Sequence, residues 1–150
     1  MNRITKTSLV LMAGLVFGCR TTPPQVAGKW HGTSQLSATY GTPGGSGPHH
    51  DSAQVDFILV LTQNGQTVEG DARITSGKSH PIHIPITTGV IGQDGKLTLL
   101  GEANYTIARA QLSFEGKAES GKIIGTADIS MSNVGGGADH KGALTLVPAR

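Results

Sequence analysis

Apolar and polar residues alternate along most of this chain, and the alternation predicts β-strands. Val55, Phe57, Leu59 and Leu61, for example, occupy every second position of one stretch. Successive side chains of a strand point to opposite faces, so this pattern is typical of a strand with one buried face. No stretch after residue 19 shows the 3.6-residue period of an amphipathic helix. The pattern therefore predicts an all-β domain.

Turn signals divide this domain into eight predicted strands. Asn64-Gly65 is a strong two-residue hairpin signal, and turns are also expected at 93–95 and 119–121. Loops are expected at 41–52, 76–81 and 133–139, whereas 103–108 fits either a loop or a continued strand. The strands are predicted at about 26–40, 53–63, 66–76, 82–91, 96–102, 109–118, 122–132 and 140–147.

Eight successive strands joined mostly by hairpins indicate an antiparallel up-and-down meander, closed or nearly closed as a barrel. Closure would remove the exposed strand edges. Glycines at 70, 101, 116 and 125 each stand two positions after an apolar residue, where they would permit the coiling that a small barrel needs. A sandwich is the alternative, and Pro85, inside the fourth strand, favours an opening between strands.

Connections alternate between the two ends of a meander, so the two sets of turns are expected at opposite ends. The tight turns would form a base that contains Trp30, and the longer loops would form an open mouth. Loops on a rigid scaffold are where binding residues concentrate. The mouth is therefore the predicted binding end.

The N-terminal residues predict an export signal followed by a lipid anchor. Arg3 and Lys6 precede an apolar run that ends near Phe17 and is too short to span a membrane. Residues 15–19, Leu-Val-Phe-Gly-Cys, resemble the lipobox of bacterial lipoproteins. The resemblance implies a signal peptide at 1–18, acylation of Cys19 with fatty acids such as palmitate, and a tether at 19–25. Arg20 in place of Asp implies outer-membrane delivery.

Charge and cysteine content narrow the range of partners. Removal of Arg3 and Lys6 from the 12 basic residues leaves 10, against 10 acidic residues, so the mature part is nearly neutral. Without a basic run, nucleic acid is not an expected partner. The sole cysteine is Cys19, so no intramolecular disulfide can form.

Gly28-Lys29-Trp30, at the start of the first strand, resembles the Gly-any-Trp signature of the calycin superfamily, which includes lipocalins and avidins. The resemblance covers residues 26–150. It implies that Trp30 closes the barrel base and that a basic side chain, here Arg150, packs over the indole as a cation–π pair. Trp30 is the only tryptophan, so the binding aromatics of avidins are missing. The C-terminal helix of vertebrate lipocalins is also missing.

Five of the six histidines are predicted near the mouth, together with two aspartates. Imidazole and carboxylate groups can bind zinc or copper. Within an extended stretch, His80 and His83 would point to opposite faces. The candidate ligand-binding residues are His49, His50, Asp51, His80, His83, Asp139 and His140, and the candidate metal ligands are His49, His50, His80 and His83.

No paired carboxylates, phosphate loop or cysteine nucleophile is recognisable in the domain, and Gly45-Ser46-Gly47 lacks the strand–turn–helix context of a nucleophile elbow. The sequence therefore predicts a non-catalytic protein of the bacterial envelope without a resident cofactor. Binding of a small apolar molecule at the barrel mouth is the first hypothesis. A protein-interaction or inhibitor module that uses the mouth loops is the second, and zinc or copper binding through histidines is the third.

Overall fold

The computed structural model describes residues 22–40, 49–134 and 136–150, with the side chains of 39, 40 and 49 excepted. Cys19 and the predicted signal peptide lie outside the described residues. The strands of the described part are β1 (Gly28–Tyr40), β2 (His49–Asn64), β3 (Thr67–Ser76), β4 (Ile82–Ile91), β5 (Lys96–Asn104), β6 (Ala108–Glu119), β7 (Lys122–Asn133) and β8 (Gly136–Pro148).

Each strand pairs with its sequence neighbour in antiparallel fashion, and β1 also pairs with β8. The result is a closed barrel in the order β1 to β8. The prediction of an all-β, eight-stranded up-and-down barrel is thus confirmed.

The inward faces of the strands fill the barrel with apolar side chains. The alternation predicted for β2 is present, because Val55, Phe57, Leu59 and Leu61 are all buried. Leu36 of β1 and Leu112 and Phe114 of β6, which hold alternate positions in their strands, are buried as well. Burying a side chain of this size contributes roughly 1.5–3 kcal/mol relative to leaving it in water. This interior therefore holds the strands together without a disulfide.

Two loop predictions near the mouth are wrong in part. Residues 49–52 belong to β2 and residues 136–139 to β8, whereas the sequence pattern predicted loops at 41–52 and 133–139; residues 41–48 lie outside the described part. Both extensions pair with the end of β1, where Tyr40 faces His49 and Thr39 faces Asp139. Pairing with a partner strand thus outweighs the weak local β-propensity of these polar and glycine-rich residues.

Two connections at the mouth are also shorter than the loops allowed for by the sequence pattern. The β5–β6 connection is 105–107 and the β7–β8 connection is 134–135, as short as the turns at the base. The ambiguous stretch 103–108 is thereby resolved, since Asn104 ends β5 and Ala108 begins β6.

Pro85 does not open the barrel, but pairing is incomplete beside it. Pro85 pairs with Asp71 of β3, and the β4–β5 register runs only from Ile86 to Ile91. In the described part of the chain, residues 82–85, which form the end of β4 nearest the mouth, have no partner on β5. There the Tyr105 hydroxyl donates to the His83 carbonyl (2.9 Å) and accepts the His83 N–H (3.2 Å). One side chain bridges this gap between the strands.

Glycines allow neighbouring strands to approach closely. Gly116 and Gly125 face each other across β6 and β7. A Cβ atom on Gly125 would lie 2.3 Å from the Glu115 carbonyl oxygen and 2.6 Å from the Phe114 ring. A Cβ atom on Gly70 would lie 2.0 Å from the Val60 carbonyl oxygen. Any larger residue at these positions would push two strands apart.

We expect Gly125→Ala to lower the free energy of unfolding by about 2 kcal/mol, because the new methyl overpacks a site bounded by backbone and by a buried ring. Gly137→Ala is the matched control in the neighbouring strand, where the nearest atom to the new Cβ is the Met131 carbonyl oxygen at 3.3 Å. Urea denaturation measures both variants. Equal unfolding midpoints for the two would contradict this account of the glycines.

Candidate functional site

The base of the barrel is sealed by the chain that leads into β1. Gly28 has a φ of 133°, a conformation that favours glycine, and it redirects the chain so that the Trp30 indole N–H donates to the Val26 carbonyl at 2.8 Å. Val26 is fully buried, and its N–H donates to Gln63 Oε1 at 2.7 Å. Gln63 Nε2 in turn donates to the Pro24 carbonyl at 3.1 Å. These bonds fold the tether across the base.

Arg150 follows this sealed end. Pro148, two residues earlier, pairs with Trp30, and the Ala149 N–H donates to the Lys29 carbonyl at 2.8 Å. The Arg150 side chain is exposed, whereas Trp30 is only 8% exposed. Stacking of the guanidinium over the indole stays a prediction.

The mouth, at the opposite end, contains a cavity of about 250 Å³. Its apolar walls come from five strands, and its polar groups come from the end of β3, from the β3–β4 connection and from β8. The apolar lining residues are Leu36, Ala53, Val55, Ile74, Ile82, Ile129 and Met131. The polar lining residues are Ser76, Ser79, His80 and His140.

Strand register and one turn place the two histidines at this cavity. His140 pairs with Ala38 on one side and with Ile129 on the other, so it shares their inward face. His80 lies in the connection 77–81, which begins as a turn with Gly77 at a φ of 54°. The Ser79 N–H closes this turn on the Ser76 carbonyl at 3.0 Å. The turn directs the chain back over the barrel opening.

The structure separates the other predicted mouth residues from this cavity. His83 points outward, as the spacing of His80 and His83 predicted, and its Nδ1 lies 3.5 Å from Asp71 Oδ1. Asp139, which pairs with Ser130, is exposed on β8. His50 and Asp51 are exposed on β2, and the Ser52 N–H donates to Asp51 Oδ1 at 2.8 Å.

The predicted metal ligands are therefore divided between different surfaces. Only His80 of the four lines the cavity; the His49 side chain lies outside the described part. Among the residues that the structure describes, no group of three or more His, Cys, Asp or Glu side chains could hold a metal ion.

Several cavity residues were missed by the sequence reasoning. Met131 continues the inward series of Ala127 and Ile129 along β7, so the two-residue period could have identified it. Ser76 and Ser79 carry no such signal, because their positions depend on how the β3–β4 turn folds.

A second, shallower groove of about 440 Å³ crosses the outer face of β4 to β7, away from the mouth cavity. Glu102 lies in it and accepts hydrogen bonds from Arg109 Nη2 (2.5 Å), Asn104 Nδ2 (3.1 Å) and Gln111 Nε2 (3.4 Å). The hydrogen bond from Arg109, followed by that from Asn104, lowers the pKa of Glu102 below its ordinary value of 4.5.

No family model matches the sequence, and no curated protein matches it. None of the residues that the structure describes forms a helix long and apolar enough to cross a membrane. The assignment of a function therefore depends on the cavity and on the chain leading into the barrel.

We expect Arg109→Gln to raise the pKa of Glu102 toward its ordinary value, because the strongest hydrogen bond to the carboxylate is lost. Because the folded-state pKa of Glu102 is lowered, the interaction with Arg109 stabilises the fold at pH values above the ordinary pKa of a glutamate. This stabilisation is lost as the pH falls through the folded-state pKa. Carbon-detected NMR titration of the carboxyl measures the shift. Arg73→Gln is the control on β3 and should leave the Glu102 titration unchanged; an unchanged titration in Arg109→Gln would contradict the assignment.

Proposed function

We propose that this protein is a lipid-anchored bacterial envelope protein that binds a small apolar molecule at the mouth of its barrel. The observation that carries the proposal is an apolar cavity at one end of a barrel whose other end is sealed. Apolar walls with a few polar groups are typical of small-molecule sites.

The size of the cavity limits its occupant. About 250 Å³ lies just below the usual range for ligand pockets, roughly 300–1,000 Å³. An engineered apolar cavity of about 150 Å³ is large enough for benzene. A single substituted ring or a short acyl chain therefore fits this cavity. The hydroxyls of Ser76 and Ser79 and the imidazoles of His80 and His140 would orient a polar group on such a ligand.

Binding rather than catalysis is proposed because seven of the eleven lining residues are apolar. The location rests on the lipobox resemblance, with acylation of Cys19 and delivery to the outer membrane as its consequences. Intact mass measurement of the protein extracted from its own envelope tests the anchor. The mass of the chain from Cys19 onward plus acyl groups is expected, and an unmodified thiol would contradict lipidation.

Ala53→Leu should abolish ligand retention, because the larger side chain fills the cavity. Ala143→Leu is the matched control: Ala143 is exposed, and its β7 partner Thr126 lies outside the cavity lining. Native mass spectrometry of protein purified from its envelope measures retention. A small mass is expected on the unaltered protein and on Ala143→Leu, but not on Ala53→Leu. A bare polypeptide in all three would contradict the ligand proposal.

A protein-interaction role is the second candidate, favoured by two exposed apolar side chains at the mouth. Ile107 is 73% exposed and Val134 is 98% exposed. Ala108 pairs with Asn133, so Ile107 and Val134 lie at the ends of neighbouring strands. Such a pair suits contact with another envelope protein.

A photo-reactive residue at position 107 tests this role in the intact envelope. We expect one discrete cross-linked product from position 107 and none from position 60, where Val60 is exposed on the outer face of β2. The same products from both positions would show nonspecific contact and would contradict a specific mouth partner.

A soft metal ion is the third candidate, because the Met131 thioether and the imidazoles of His80 and His140 line one cavity. Thioether and imidazole groups together suit copper better than a hard cation. A copper or zinc mass retained in native mass spectra, and lost in His80→Ala, would support it. Retention in His80→Ala would exclude this imidazole as a ligand.

A further inference from the structure

We propose that the sealed base of the barrel docks on anionic lipid headgroups, so that the mouth opens away from the bilayer. This inference deepens the proposed lipid anchoring at Cys19 and rests on it. The occupant is a lipid surface, and two independent features of the base indicate it: where the anchor reaches the barrel, and which side chains surround that point.

The tether holds the anchor close to the base. Thr22 is the first described residue and comes three residues after Cys19. A fully extended chain spans at most about 3.6 Å per residue, so the Cα atom of Cys19 lies within about 11 Å of that of Thr22. Pro24 and Val26 are hydrogen-bonded to Gln63 at the base. A lipid on Cys19 would therefore bring the base, and not the mouth, to the membrane surface.

At the base, two lysine side chains lie opposite each other and repel each other while the barrel is free in solution. Lys96 of β5 and Lys117 of β6 are directly opposite each other, and both are exposed. Like charges in this position destabilise a sheet. Neither lysine takes part in the ion pairs of the described residues, which join His83 to Asp71, Arg109 to Glu102 and Lys141 to Asp128. An anionic surface would relieve the repulsion between the two ammonium groups.

The acidic groups at this end of the barrel are fewer than the basic ones. Glu119 faces Lys122 across the β6–β7 turn, and Asp94 Oδ1 accepts the backbone N–H of Lys96 at 3.0 Å. Glu69, the third residue of β3, and Glu115, two residues before Lys117, bring the acidic groups at this end to four. Lys29 at the start of β1 adds a fourth lysine to this end, and Arg150 follows β8, so the basic groups number five.

Exposed apolar side chains accompany the lysines. Ile124, which pairs with Lys117, and Val147 near the end of β8 are each 39% exposed. Basic and apolar side chains together are typical of surfaces that lie against lipid headgroups. The base is thus suited to a bilayer in both charge and composition.

The single cysteine allows a test that does not depend on native acylation. The chain from Cys19 to Arg150, which contains the whole closed barrel, is coupled through its thiol to a maleimide lipid. The lipid is carried in vesicles with about 30 mol% phosphatidylglycerol or with phosphatidylcholine alone. A membrane-impermeant amine reagent then acetylates exposed lysines, and peptide mass spectrometry gives the rate at each.

We expect Lys96 and Lys117 to react about fivefold more slowly on the anionic vesicles than on the neutral ones. Lys78 and Lys141, away from the base, should react at the same rate on both. High salt should remove the protection, because it screens exposed charges. Equal rates at all four lysines, or protection at Lys78 and Lys141 instead, would overturn the proposal.

Charge variants give a second readout. Lys96→Gln with Lys117→Gln should remove the protection of Lys29 and Lys122 on anionic vesicles, whereas Lys78→Gln with Lys141→Gln should leave it intact. Continued protection in the first double variant would contradict the role of the opposed pair. Failure of native acylation would appear only as a missing acyl mass in protein from the envelope, so the two proposals fail separately.

Discussion

Closure of the barrel depends on how β1 meets β8. These strands stand at opposite ends of the chain, and they pair near the base, where Trp30 faces Pro148, and near the mouth, where Ser37 faces Lys141. Between these points the backbones approach so closely that a Cβ atom on Gly32 would lie 2.2 Å from the Thr145 carbonyl oxygen. The Ser34 hydroxyl donates to the Ala143 carbonyl there at 2.6 Å.

Ser34 is the one buried polar residue among those that the structure describes, and its position shows why it is tolerated. A buried hydroxyl is costly unless it is hydrogen-bonded, and here it supplies a bond along the closing pair of strands. The other seven pairs of neighbouring strands are adjacent in the sequence, so pairing between them needs only local contacts. Only the β1–β8 pair must be brought together across the whole chain, and the side chains that allow it are small.

The sequence predicted the interior of the barrel well because burial follows a strict two-residue period. Phe57, Leu112 and Phe114 could be assigned to the core from spacing alone. The mouth was predicted less well because its strand ends depend on non-local pairing: His49 and Asp139 are strand residues only because β1 extends beside them. The same period separated His80 from His83, but it could not show that the β3–β4 turn carries His80 to the cavity.

The two ends of the molecule differ in how firmly they are held. At the base, three features hold the chain in place. Gly28 adopts a positive φ, the Trp30 indole donates to the Val26 carbonyl, and Val26 is fully buried. At the mouth, the polar side chains of Ser76, Ser79, His80 and His140 surround an apolar opening. Affinity there would come from the apolar walls, and discrimination between ligands from the few polar groups.

One wall of the cavity is held by strand pairing on one side only, because residues 82–85 of β4 pair with β3 and have no partner on β5. Ile82 lines the cavity and belongs to the part of β4 that has no partner on β5. Movement of this segment away from β5, together with β3 to which it is paired, would break the two Tyr105–His83 hydrogen bonds, each worth roughly 1 kcal/mol, and no β4–β5 backbone pair. The volume of the cavity is therefore a lower bound on the size of the largest guest, because the barrel can widen between β4 and β5 without breaking the pairing of β3 with β4.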